Sequence, residues 1–228
     1  MKKRCGSHVR CGVATMCMVG LTAVVGSLGP IAHADPSDDV DYPVEPLHPS
    51  PVSIRELPVV SPKQSNWVPK FPFPYDTLRQ NVTDADITAE RDMCQWFNTQ
   101  WDELIRQIDS FQFKRIAPDG PGISAGSGTD WDYSVGGLQR DADIVAGNID
   151  RSVEFLGPRV SGLTQVQNPV GDKYFAIFQG EAFYWLWQQL SNISNGIKAH
   201  QPDWFTGPSV LRAKRFGSTI YRSHVCSY

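Results

Sequence analysis

From Ile87 to Phe111 apolar side chains return every three or four residues, at Ile87, Cys94, Phe97, Trp101, Leu104, Ile105, Ile108 and Phe111. That period is one face of an α-helix and predicts a helix from about Asp84 to Gln112. Such a helix is roughly 42 Å long at ~1.5 Å per residue. Thr83 or Asp84 can cap its start, and Asp86 and Glu90 suit its positive end. Trp96 falls far round from the stripe and reads as a surface aromatic that another segment covers. A second stripe at Ile144, Val145, Ile149, Val153 and Leu156 predicts a helix over Leu138–Leu156, with Gly157-Pro158 as its stop. The third and most apolar helix is expected from about Asp172 to Ala199. It carries Phe175, Phe178, Ala182, Trp185, Leu186, Leu190, Ile193 and Ile197 on a broad face, with Tyr184 and Trp187 away from its centre. Gly180 marks a close helix crossing. A shorter helix is expected from Ser209 to about His224. Strand alternation is nowhere sustained, and only Val160–Val166 suggests a brief extended piece. The pattern predicts an all-α fold, roughly a four-helix bundle with two long helices.

Two segments break the pattern. Residues 114–137 hold six glycines and two prolines and form a long loop, with Trp131-Asp132-Tyr133 near its end. Between Pro36 and Pro74 there are ten prolines, so residues 35–75 must be extended. The first part of that stretch, with Asp35, Asp38, Asp39, Asp41 and Glu45 and no basic residue, reads as an acidic leader. The second part carries Val52, Ile54, Leu57, Val59, Val60, Trp67, Val68, Phe71, Phe73 and Tyr75. It reads as an arm lying along the helical body or along a partner. The organisation expected is residues 1–34 as a signal peptide, 35–75 as an acidic and then apolar Pro-rich arm, and 76–228 as the helical domain.

The signal peptide rests on Lys2, Lys3, Arg4 and Arg10, an uncharged run from Cys11 to Gly29, and Ala32-His33-Ala34 before Asp35. Cleavage between Ala34 and Asp35 leaves 17 basic against 24 acidic residues, a net charge of −7. That charge argues against a nucleic-acid partner. The product is expected outside the cytosol, secreted or at the cell envelope, with no transmembrane segment in the mature chain. Of five cysteines, Cys94 and Cys226 survive cleavage. An even pair in an oxidising compartment, far apart and not in C-x-x-C spacing, predicts one structural disulfide.

Catalytic chemistry is sparse. His48, His200 and His224 form no H-E-x-x-H or paired set, so neither metal nor cofactor is expected. His200, at a helix end, suits the helix dipole. Gly122-Ile123-Ser124-Ala125-Gly126 spells the nucleophile elbow without a strand before it. Carboxylates considered for a glycosidase pair are Glu90, Glu103, Glu154 and Glu181, with Asp130, Asp132, Asp141 and Asp143. Glu181, in the aromatic helix beside Gln188, is the weak catalytic candidate, since partial burial there suits acid catalysis. Trp131, Asp132, Tyr133, Trp96 and Trp187 are the candidate contact residues. The expected function is that of a non-catalytic binding or accessory protein presenting a helical surface to an envelope protein, lipid or glycan. The alternatives are a carrier of a lipid or small apolar ligand, and a wall-acting hydrolase using a carboxylate pair.

Overall fold

A computed structural model of the chain describes residues 52–67, 80–116, 133, 137–201 and 208–227. All of them fall in one compact unit, Tyr42–Tyr228. The signal peptide, the acidic leader and the boundaries at residues 34 and 75 lie outside the described residues.

The bundle is built of α1 (Asp84–Trp96), α2 (Asp102–Ile116), α3 (Leu138–Ser161), α4 (Gly180–Lys198) and α5 (Pro208–Arg222). A π-helical turn, Phe97–Trp101, joins α1 to α2, so these two make one rod and the described residues hold four helical rods. Thr83 caps the rod with a capping box: its hydroxyl accepts from the Asp86 amide, and the Asp86 carboxylate accepts from the Thr83 amide. α4 is the central helix and packs on both α3 and α5. Two glycines permit close approach. Gly157 of α3 faces the Trp187 indole, and Gly217 of α5 leaves the space that the Trp101 ring fills. The Cys94–Cys226 disulfide (Cα–Cα 5.0 Å) ties the tail after α5 to α1, and Asn98 donates to the Cys226 carbonyl at 2.9 Å. A buried ion pair links α5 to α2: Lys214 Nζ lies 2.7 Å from Asp109 Oδ1, at an angle outside hydrogen-bonding geometry. Among the described residues no helix is long and apolar enough to cross a membrane.

The all-α bundle with its bridge is as expected, but the element boundaries differ. The first rod contains a π turn that its period does not announce. Thr99 sits in that turn, and its hydroxyl donates to the Gln95 carbonyl at 2.7 Å and the Trp96 carbonyl at 3.2 Å, filling acceptors that the wide turn exposes. Trp96, the last residue of α1, is wholly buried rather than a covered surface aromatic, and its Nε1 donates to Ser152 on α3 at 3.2 Å. α3 does not stop at Gly157-Pro158 but runs to Ser161. Pro158 has no N–H to give the Glu154 carbonyl. Arg159 reinforces that last turn by donating to the Phe155 carbonyl at 2.7 Å while its guanidinium lies over the Phe155 ring and pairs with Asp92 at 3.0 Å.

The expected third helix loses its first turns to a hairpin. β1 (Gln165–Gln167) pairs antiparallel with β2 (Lys173–Phe175), with Val166 opposite Tyr174. The turn is fixed by Asn168, whose side-chain oxygen accepts from the Val170 and Asp172 amides, and by Gly171 at φ +98°. Phe175 and Phe178 thus precede α4. Gly180 opens it, pressed against Phe175, Ile177 and Leu163 rather than against another helix.

Candidate functional site

A line of polar side chains runs along one edge of the first rod's apolar stripe: Arg91 and Gln95 on α1, Gln100 in the π turn, and Glu103, Gln107 and Ser110 on α2. Steps of three and four residues keep α-helical positions on one face, whereas a step of five drifts off it. The five-residue step from Gln95 to Gln100 spans the π turn, which takes up the extra residue. Asn148 of α3 faces this line. Gln107, Asn148, Gln100 and Ser110 are all buried, so each needs partners.

Their partner is the main chain of residues 52–67. This segment lies extended and antiparallel to the rod. The Val52 amide donates to Ser110 at 2.8 Å and the Arg55 amide to Gln107 at 3.3 Å. Asn148 brackets the next step, accepting from the Leu57 amide at 2.9 Å and donating to the Arg55 carbonyl at 2.8 Å. Gln100 donates to the Pro58 carbonyl. Gln95 takes both groups of one residue, accepting from the Lys63 amide and donating to the Lys63 carbonyl, each at 2.7 Å. Arg91 ends the ladder on the Ser65 carbonyl at 3.2 Å.

The Asn148 amide is saturated. Its nitrogen also donates to Gln107 at 3.0 Å, and its oxygen also accepts from Arg151 at 2.5 Å. Side-chain anchoring by the arm is thin by comparison. Leu57 alone enters the core; Ile54, Val60 and Trp67 are half-buried against it, and Arg55 makes an exposed pair with Glu103 at 3.4 Å. The groove therefore reads an extended backbone at six residues and one side chain in depth. The arm expected from its apolar content does lie on the body over residues 52–67. The amide ladder was not anticipated. Its signal in the sequence is the run Gln95, Gln100, Gln107 beside the apolar stripe.

A second polar feature lies at the start of the rod. Asp86 and Glu90, one helical turn apart, are both fully buried. Asp86 accepts from the Thr83 amide and hydroxyl at 2.8 and 2.7 Å and from the Thr164 amide at 2.7 Å, pinning the loop after α3 to α1. Burial pushes the Asp86 pKa up, but the bonds from Thr164 and Thr83 outweigh it and hold the group below its ordinary value. Glu90 has no hydrogen-bond partner for either oxygen among the described residues. Burial, and then the Asp86 charge, push its pKa well above the ordinary value. Sealed from solvent, Glu90 cannot touch a substrate.

The expected site residues that are described, Trp96, Tyr133, Glu181 and Trp187, have separate surroundings. Tyr133 is buried: its hydroxyl donates to the Ile197 carbonyl at 3.0 Å and its ring stacks on His200 at 4.1 Å, which clamps the C-terminus of α4. Trp131 and Asp132 lie outside the described residues, as does Asp130. Trp187 is half-buried against Gly157 and Tyr184. Glu181 is exposed rather than partly buried, and accepts from Trp185 Nε1 at 3.1 Å. Glu103 belongs to the groove, Glu154 is exposed, and Asp143 accepts from Gln139. Among the described residues no three metal-ligating side chains cluster. No protein-family model matches this chain, and no curated protein and no solved structure matches it.

Proposed function

We propose that the chain is exported with its leader removed between Ala34 and Asp35, and that the mature product acts as a non-catalytic binding or accessory protein at the cell envelope or beyond it. The observation that carries this reading is the ladder of Ser110, Gln107, Asn148, Gln100, Gln95 and Arg91 on the main chain of residues 52–67. Such an array recognises an extended polypeptide and does no covalent chemistry. The disulfide fits an oxidising compartment. The one carboxyl among the described residues whose pKa is strongly raised, Glu90, is buried where no substrate reaches it. A photo-crosslinking residue at Val59, which is 77% exposed on the arm's outer side, tests the reading in the natively exported protein. A discrete partner adduct is the expected result. Hydrolysis of peptidoglycan by the purified protein, abolished by Glu181→Gln, would overturn it.

A further inference from the structure

We infer that the groove between the first rod and α3 is a peptide-binding site that the chain's own arm occupies in cis, and that it accepts an extended segment of a partner protein carrying a basic residue, any residue, Leu and Pro in that order. The inference rests on the binding reading above and names the partner's chemistry. Its basis is how the contacts divide. Bonds from Ser110, Gln107, Asn148, Gln100, Gln95 and Arg91 go to backbone N–H and C=O groups, which every polypeptide offers. Selectivity is confined to three places. Leu57 fills the one deep socket, Pro58 leads with a carbonyl where no N–H is wanted, and Arg55 faces Glu103. Ile54, Val60 and Trp67 are half-buried on the groove's rim, while Ser53, Glu56, Val59 and residues 61–66 are exposed. With one fully buried side chain, the arm is held less tightly than any helix and can leave while the bundle stays folded. A proline-bearing partner segment is already extended and loses little freedom on binding.

The test uses the full chain and a fluorescein-labelled peptide of residues 52–67, read by fluorescence anisotropy. Leu57→Ala in the protein weakens the arm in cis, whose tether otherwise gives it a local concentration near the millimolar range. That variant should bind the peptide about 10-fold or more tightly than the unaltered chain, and Asn148→Ala added to it should abolish binding. Peptide altered at Glu56, Val59 and Gln64 should bind equally well, and peptide with Leu57→Asp should not bind. No binding by a folded Leu57→Ala chain, or binding that survives Asn148→Ala, overturns the inference. Dimerisation of the chain by arm exchange, without binding of free peptide, also overturns it in favour of a second copy as occupant. Amide exchange in the unaltered protein decides the matter if Leu57→Ala does not fold. The Leu57 and Lys63 amides should then exchange about 100-fold faster than the Leu190 amide, and equal protection would make the arm a fixed strut. A partner adduct at Val59 alongside failed peptide binding would keep the binding reading and remove the groove as its site.

Discussion

Replacing Glu90 with methionine should make the protein more stable, and more so the higher the pH. Glu90 is wholly buried, has no hydrogen-bond partner among the described residues, and lies one turn from the Asp86 carboxylate. The unfolded chain gives up the Glu90 proton above the ordinary value of 4.5, while the folded chain retains it. The folded state therefore binds more protons, and stability falls as pH rises from that value toward the raised one. At roughly 1.4 kcal/mol per pH unit, holding this proton at pH 7 costs at most about 3 kcal/mol relative to the ordinary value of 4.5. The neutral carboxyl still lacks partners, which costs about 1–3 kcal/mol more at any pH.

Glu90→Gln removes only the first cost and Glu90→Met removes both, so the pair separates them. Urea unfolding followed by tryptophan fluorescence at pH 5, 6, 7 and 8 measures each difference from the unaltered protein, and other titrating groups cancel in that difference. Glu90→Gln should match the unaltered protein near pH 5 and exceed it by up to about 3 kcal/mol at pH 7. Glu90→Met should exceed it throughout. Unaltered protein whose stability relative to Glu90→Met does not change from pH 5 to 8, or a Glu90→Met chain that is less stable at pH 8, would refute the reasoning.

Other perturbations probe separate parts of the fold. Gly217→Ala would place a methyl 2.2–2.7 Å from the Trp101 indole, and urea titration should show a loss of about 1–3 kcal/mol or more. Asp86→Asn puts an amide against three donors and should cost about 1–3 kcal/mol near neutrality. Because the folded pKa of Asp86 is depressed, its stabilisation is present above the ordinary 3.8 and is lost as pH falls through the lowered value; the gap between Asp86→Asn and the unaltered chain should close in acid urea titrations. Cys94→Ser with Cys226→Ser opens a 132-residue loop and should lower stability by about 2–4 kcal/mol in calorimetry without reductant.

Much of the bundle was legible because it obeys one rule. The stripe through Cys94, Phe97, Trp101, Leu104 and Ile108 is helical in period and is buried as that period requires. A cysteine on such a stripe had to meet its partner inside. Where the reading fell short, local chemistry overrode period. Asn168-Pro169-Val170-Gly171 is a turn signal, but it sits before Phe175 and Phe178, whose spacing joined them to α4. The π turn ends on Trp101, which seats against Gly217, and no local pattern encodes the glycine of a helix over a hundred positions away. Glu90 was visible and misassigned. It occupies the place between Ile87 and Cys94 where the stripe calls for an apolar residue.

The two polar intrusions into this core obey opposite logic, and the contrast explains why the groove rather than the acid pair is the place to look for function. A carboxylate in the groove could accept from a main-chain N–H but would repel the neighbouring C=O, and its burial would cost several kcal/mol. A primary amide carries one acceptor and two donors on one planar head and no charge. Asn148 spends all of that capacity, and Gln95 answers both polar groups of Lys63. Neutral amides can therefore be buried beside a backbone at little cost. With the arm gone, Gln107 and Asn148 keep their bonds to each other, to Glu103 and to Arg151, and water takes the places of the Arg55 and Leu57 main-chain groups. One extended chain can therefore replace another without a charge being left buried at any stage. Glu90 offers no such choice: its burden is the same whatever lies in the groove, so it bears on the stability of the bundle and not on what the bundle binds.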